Sequence, residues 1–382
     1  MAYRTYHRYN DRPAVLSAAQ CAYDLAQRAV NPHRRMADPF EAESAYKKEW
    51  IAPVPLNELK VAFLCDDFTW NTFSPECRAV FLTPSNWRRA MEKCRPDLFF
   101  CESAWYGISK YHDCWKNKVA SHPKLLYENR RELFRILAYC RRHGIHTVFW
   151  NKEDPAYFDG DGYSFSDTAR RFDLVLTTCA ECIPRYEAIG ARNVHLLPFC
   201  FSPILFHPDK DTVMEDAAVF AGSWYRQHPE RCRDMSALFD MVLGKGIPLV
   251  IYDRNYGSAN DDYAYPEKYR PYIKGSLPFE ELGKAIRKYR YAINVNTVTD
   301  SETMFARRVF ELMAQGQFII SNESPGMRRL FGDNVWYLGE DYDLSRVPQA
   351  VEANMKEVFA HHTASARLKS VCEWLSIPLA VE

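Results

Sequence analysis

The strongest constraint on this chain is an alternation of short apolar runs with polar loops and helical stretches, set out twice along its length. The first series reads KVAFLC (60–65), AVFLT (79–83), DLFFC (97–101), HTVFW (146–150), DLVLTT (173–178) and VHLLPF (194–199). The second reads AAVFAG (217–222), IPLVIYD (247–253), YAINVN (291–296), QFIIS (317–321) and VWYL (335–338). Runs this apolar, spaced by helices, are strands buried on both faces, so the expected class is α/β with parallel sheets. A helical stretch at 128–144 ends in Gly144, an ordinary residue for stopping a helix.

Two such series in 382 residues exceed one ordinary core, so two Rossmann-like domains are expected. The boundaries fall at 57–200 and 215–382, with a proline-containing linker at 201–214 and a helical extension at 1–56. Forty-nine basic residues balance forty-nine acidic ones, which disfavours nucleic acid as a partner. The N-terminus lacks an apolar leader and no run of about 18 apolar residues occurs, so no membrane span and a cytoplasmic location are expected. The twelve cysteines then read as reduced thiols. The single CxxC, Cys179 and Cys182, lacks the second pair or spaced histidines that a zinc site needs.

In parallel sheets ligands bind beyond the carboxyl ends of the strands. In the first series those ends carry Asp66, Asp67, Glu102, Glu153 and Asp154, so acids and aromatics converge on one rim. Each acid alone also suits a helix cap or a turn. The glycine- and aromatic-rich loop 151–165 is placed to cover an acceptor. In the second series Gly222 and Ser223 follow a strand directly, a turn that lets backbone N–H groups approach a phosphate. Arg226, Arg231 and Arg233 come next. Neither a GxGxxG fingerprint nor a Walker A sequence occurs.

Residues 304–316, MFARRVFELMAQG, pose the sharpest question. On a helix, Phe305, Val309 and Leu312 form an apolar stripe, widened by Phe310 and Met313. Met304, Arg307, Arg308 and Glu311 share the other side. Spacing leaves two readings open. One is a solvated face with an i,i+4 Arg307–Glu311 pair, worth a few tenths of a kcal/mol. The other is a binding seam. A helix N-terminus and a guanidinium hold a diphosphate, and a carboxylate accepts bonds from ribose hydroxyls.

The motifs DLFFCESAW, FWNKEDP, TTCAECIPRY, FAGSWYRQHPER, LVIYDRN, SLPFEEL and TMFARRVFELMAQG carry a family resemblance between about residues 60 and 340. The chain resembles bacterial glycosyltransferases of the GT-B fold, in the group that includes spore-maturation-protein-type enzymes. The resemblance implies two Rossmann-like domains facing an interdomain cleft, the second for a nucleotide-diphosphate sugar and the first for its acceptor. It places Arg308 at the diphosphate, Glu311 at the ribose, Gly222 and Ser223 at the phosphates or donor sugar, and Asp253 and Arg254 near the nucleotide. Arg231, Asn296, Ser301, Met304 and Arg307 complete the candidate donor-binding set. Related enzymes often carry two glutamates with seven residues between them. Here eight separate Glu302 from Glu311, so only Glu311 is carried over. For an inverting transfer the candidate bases are Asp154, then Glu102 and Glu153. No metal and no cofactor beyond the donor is expected. The expected partners are a nucleotide sugar and a glycan, lipid-linked or small-molecule acceptor, with peripheral membrane association allowed. The setting is bacterial surface polysaccharide or glycoconjugate synthesis. The alternatives are a nucleotide-sugar epimerase and a non-catalytic sugar-nucleotide-binding protein.

Overall fold

The computed structural model describes residue 50 and residues 52–122, 125, 127–160 and 163–380. Most of the helical extension expected at 1–56 lies outside them. The chain divides into two compact units. One runs through Leu197 and takes up Arg367 onwards; the other is Pro198–Ala366.

The first unit is built on β1 (Lys60–Leu64), β2 (Arg78–Phe81), β3 (Leu98–Glu102), β4 (His146–Asn151), the short hairpin β5 (Asp159–Gly160) and β6 (Tyr163–Ser164), β7 (Leu174–Thr177) and β8 (Val194–Leu196). Its main sheet has the order β2-β1-β3-β4-β7-β8, and every pairing within it is parallel. Helices α1 (Asp67–Phe73), α2 (Trp87–Cys94), α3 (Arg131–Arg142), α4 (Ser166–Ala169) and α5 (Ile183–Ala188) connect the strands. The apolar runs are buried from end to end in β3 and β4, as double coverage requires. On α3, Leu133, Phe134, Ile136, Leu137 and Cys140 fall on the buried side. Gly144 then takes a left-handed φ of 65° that ends the helix.

The second unit repeats the plan with β9 (Glu215–Gly222), β10 (Leu249–Asp253), β11 (Tyr289–Asn294), β12 (Phe318–Ser321) and β13 (Trp336–Tyr337). The order is β10-β9-β11-β12-β13, again all parallel. Helices α6 (Pro229–Gly244), α7 (Phe279–Ile286), α8 (Arg308–Ala314), α9 (Pro325–Phe331) and α10 (Val347–His361) belong here, and α11 (Ala364–Trp374) ends the series. Cys232, Met235, Leu238, Phe239 and Val242 recur at helical spacing on α6 and are buried in the core with Phe220, Ile251 and Ile320.

Both sheets therefore reverse strand order between their first and third strands. The crevice at such a reversal is where open α/β sheets bind ligands. It lies beyond Leu64 and Glu102 in the first unit and beyond Gly222 and Asn294 in the second.

Two sequence boundaries move. Residues 201–214, expected as a linker, group with the second unit. There the Phe201 N–H donates to the His362 carbonyl at 3.1 Å, and its carbonyl accepts from Ala364 at 2.9 Å. Residues from Arg367 onwards, expected in the second domain, group with the first sheet, where Val54 bridges Leu379.

Candidate functional site

The helix of the 304–316 stretch starts later than its apolar spacing suggests. Met304 to Ala306 are not helical, and Arg307 stands at the N-cap of α8. The cause lies two to ten residues back. Ser301 Oγ accepts the N–H groups of Thr303 at 3.2 Å and Met304 at 2.9 Å. Asn296 Oδ1 accepts the Ala306 N–H at 2.9 Å. These side chains supply the partners that helical carbonyls would have supplied. Asn296 and Ser301 thus shape the loop from beneath, although the sequence reading had them bordering a ligand.

On the polar side of this stretch Met304, Arg307 and Arg308 are half-buried, while Glu311 is 0 % exposed. Its Oε1 accepts from Arg307 Nη1 at 2.9 Å. Its Oε2 lies 3.7 Å from Arg308 Nη1, and neither of those two buried atoms has a hydrogen-bond partner. Burial pulls the Arg308 guanidinium down to about 10 against the pull of Glu311, with Arg307 and Arg254 pushing the same way as burial. A cation and a carboxylate so placed cost stability unless something else satisfies them. The i,i+4 Arg307–Glu311 pair forms, but its carboxylate is buried rather than solvated.

The turn after β9 faces the same end of the sheet. A Cβ on Gly222 would stand 2.6 Å from the buried Phe220 ring, so only glycine fits. Arg231 Nη1 donates to the Ser223 carbonyl at 3.0 Å and its guanidinium lies over the Tyr225 ring. Asn255 Nδ2 donates to Ser223 Oγ at 3.0 Å, and the Arg254 N–H donates to the Gly222 carbonyl at 3.0 Å. Burial lowers the Arg231 pKa, and Arg254 adds to that. Arg231, Arg254 and Arg308 thus concentrate positive charge at one strand-end crevice. Beside them opens a pocket of about 360 Å³, lined by Asp253, Asn255, Tyr256, Tyr263, Tyr265 and Arg270 among others. Tyr265 OH donates to the Gly222 carbonyl at 3.3 Å, which joins the pocket to the turn. Burial raises the Asp253 carboxyl, against a hydrogen bond from the Asn255 N–H. Of the candidate donor residues, the structure groups Gly222, Ser223, Arg231, Asp253 and Arg254 here, with Arg308 within electrostatic reach. Asn255 and the three tyrosines were missed, because nothing in their local spacing marks them.

The candidate bases of the first unit have different fates. Asp154 is 0 % exposed. Its carboxylate accepts from Asn151 Nδ2 at 2.7 Å, Thr177 Oγ1 at 2.6 Å and Tyr186 OH at 3.0 Å. It ties β4, β7 and α5 together within the wall, and does not project from the rim where the sequence reading set it. Burial pushes its carboxyl up to about 7, while Thr177 and Tyr186 pull it down. Glu102 is 0 % exposed too, accepting from the Asp66 N–H and the Thr69 hydroxyl. Lys152 Nζ lies 3.3 Å from Glu102 and 3.2 Å from Asp66. Burial lifts Glu102 to about 7 against Lys152. Glu153 keeps 26 % of its side chain exposed, and is the most accessible of the three. Lys152 was missed as well. A lysine at a strand end reads as solvated, and only the fold shows the acids on both sides of it.

Asp154 carries a pH prediction. Its carboxyl is raised in the fold from about 3.8 to about 7, so the native state binds more protons in that interval. Stability from this group is full below about 4 and is lost as pH rises through 7. Asp154→Asn, which stays neutral, should gain on the wild type in melting temperature from pH 5 to pH 8. A constant difference across that range would contradict the buried assignment.

Among the described residues no three His, Cys, Asp or Glu side chains are grouped so as to hold a metal ion. No helix among them is long and apolar enough to cross a membrane.

Comparison with known families matches residues 226–373 to the glycosyl transferase-like model. The matched residues include Arg231, Asp253, Arg254, Arg308 and Glu311. A comparison with curated proteins gave no match. Among solved structures the chain is similar to Alr3699/HepE of Anabaena in complex with UDP-glucose, at 11% identity and a TM-score of 0.49, over 84% of this chain and 100% of that one. It is similar to sucrose-phosphate synthase of Thermosynechococcus elongatus, at 11% identity and a TM-score of 0.49, over 79% and 84%. It is also similar to TarM of S. aureus, at 10% identity and a TM-score of 0.44, over 74% and 57%. At these values the likenesses add nothing to what the strand orders establish.

Proposed function

We propose that this chain transfers a sugar from a nucleoside-diphosphate donor to a hydroxyl acceptor. One observation carries the reading. Arg308 Nη1 and Glu311 Oε2 are buried, adjacent and without hydrogen-bond partners, inside the stretch that matches the glycosyl transferase-like model. A diphosphate oxygen satisfies the first and a ribose hydroxyl the second. Because Arg307 already occupies Glu311 Oε1, a single carboxylate oxygen remains for the ribose. The tyrosine-lined pocket beside Gly222 has the shape and chemistry for the base, with aromatic walls and a few polar groups.

In the transfer, the bond from the anomeric carbon to the diphosphate oxygen breaks and the acceptor oxygen bonds to that carbon. Charge grows on the leaving diphosphate, where the guanidinium of Arg308 stabilises it, with Arg231 and Arg254 adding field. In this reading arginines do the work that a metal does elsewhere. The acceptor proton passes to a carboxylate, for which Glu153 is the accessible choice, or to the departing phosphate oxygen. Asp154 and Glu102 are occupied by their own partners. The acceptor is a glycan, lipid-linked or small-molecule hydroxyl, and the donor is a cytoplasmic nucleotide sugar of bacterial glycoconjugate synthesis.

Calorimetry with UDP, GDP, ADP, CDP and TDP tests the donor site. One of them should bind, and Glu311→Ala should weaken it by about 10- to 100-fold, the loss of one charge-assisted hydrogen bond. Release of that nucleotide from its sugar conjugate should rise when an acceptor is added. Binding without acceptor-stimulated release would favour an epimerase or a passive binder. No binding of any of the five would sink the reading.

A further inference from the structure

The loops after β3 and β4 carry an aromatic cluster that the donor chemistry does not use. Trp105 is half-buried and sits at its centre. Tyr157, Tyr163 and Phe165 pack around it with ring centroids 5.0, 5.7 and 5.3 Å away, all near perpendicular. Phe165 is 0 % exposed and anchors the cluster to the core, while the two tyrosines are half-buried.

The cluster is held in place by polar bonds from its other side. Asp66 accepts the Trp105 N–H at 3.0 Å, the Tyr106 N–H at 2.9 Å and the Gly107 N–H at 2.8 Å. Lys152, whose neighbour is Glu153, also bonds Asp66 at 3.2 Å. A loop fixed by three backbone bonds and an ion pair has little freedom left to lose on binding a ligand. It also stands at the strand-order reversal of this sheet, the expected ligand position.

The indole N–H of Trp105 is the second clue. Trp115, Trp150 and Trp336 each donate theirs to a backbone carbonyl. Trp105, among the described residues, has no such partner. Tryptophans usually find one when buried, and those that keep the N–H available present an apolar face with a wet donor beside it. A pyranose ring matches that pair of features. Its axial C–H bonds make one face apolar, and its rim carries hydroxyls. A fatty chain would use the aromatic surface and leave the N–H and the neighbouring carboxylate idle.

We propose that Trp105, flanked by Tyr157 and Tyr163, is a carbohydrate-binding platform on which the acceptor's sugar ring stacks beside Glu153. The proposal rests on the transfer reading and narrows its acceptor to a glycan.

The test uses the full chain and a set of disaccharides of glucose, galactose and N-acetylglucosamine in α and β linkage. Titration is followed by saturation-transfer NMR, with calorimetry of the donor nucleotide in parallel. At least one disaccharide should bind at millimolar concentration. Trp105→Ala should weaken it tenfold or more at unchanged nucleotide affinity, in a protein that remains folded at the temperature of the titration. Trp105→Phe, which keeps an aromatic face, should retain most of the binding. The proposal is overturned if no disaccharide binds the wild type, or if Trp105→Ala binds as well. It is equally overturned if detergent-solubilised polyprenyl phosphate alone binds and needs Trp105. Loss of nucleotide binding with disaccharide binding intact would strike the donor assignment and leave the platform standing.

Discussion

Lys152→Met should lower the melting temperature of the first unit by about 10 °C at pH 8. The lysine sits between two acids, 3.3 Å from Glu102 and 3.2 Å from Asp66, and burial alone would lower its pKa. The acids overcome that and hold it above its ordinary value. Removing one partner from a buried ion cluster leaves charge uncompensated and costs about 3–5 kcal/mol. For a unit of this size each kcal/mol shifts the midpoint by roughly 2–4 °C. The loss has a defined pH dependence. Glu102 is raised from its ordinary 4.5 to about 7 even with Lys152 present. Without the lysine its carboxyl rises further, so the native state keeps it neutral at low pH. Stability from that neutral form is present below about 4.5 and lost as pH climbs through 7 and beyond. The variant should therefore differ less from the wild type at pH 5 than at pH 8. Adding Glu102→Gln should restore part of the loss, since the remaining acid then faces no second charge. Circular dichroism melts at the two pH values decide it. A shift under about 3 °C at pH 8 would show the cluster to be solvated after all.

The strands were legible because doubly covered parallel strands must be apolar on both faces, which leaves continuous runs in the sequence. The later start of α8 was not, because its determinants are Asn296 and Ser301, side chains brought back by the turn after β11. Helical periodicity through Phe305 is satisfied equally by a loop that buries the same ring. Glu311 stood out in the sequence as one of a polar set, yet its burial was invisible. A solvated i,i+4 pair and a buried one have the same spacing. Asp154 shows the converse. Its place at a strand end set it on the open rim, but its three donors come from Asn151, Thr177 and Tyr186, the last two more than twenty positions away. The last turn of the chain misled for a similar reason. Return of the residues after Arg367 to the first sheet depends on partners such as Val54 at the far end of the sequence.

Arg308→Met should weaken nucleoside diphosphate binding by about 100-fold without weakening the fold. The two halves of that statement come from one fact. The guanidinium is buried, Nη1 has no hydrogen-bond partner, and burial depresses its pKa to about 10. A cation in that state burdens the unliganded protein, and Glu311 keeps Arg307 as its partner when Arg308 is gone, so the loss should leave the melting temperature unchanged or raise it. The same cation, waiting for an anion in a site of low dielectric, should contribute more than a solvated one when a diphosphate arrives. One or two charge-assisted bonds at about 1.5–3 kcal/mol each give roughly two orders of magnitude in affinity. Arg308→Lys should fall between, since an ammonium keeps the charge but not the planar fork that meets two oxygens. The nucleoside lacking phosphates supplies the internal control. Its affinity should be indifferent to Arg308→Met and should drop in Glu311→Ala, because only the carboxylate is assigned to the ribose. Calorimetry of the two variants against the nucleoside and its diphosphate separates the roles. Should Arg308→Met bind the diphosphate within about threefold of the wild type, or lose nucleoside and diphosphate alike, the phosphate assignment is wrong and the guanidinium serves the fold.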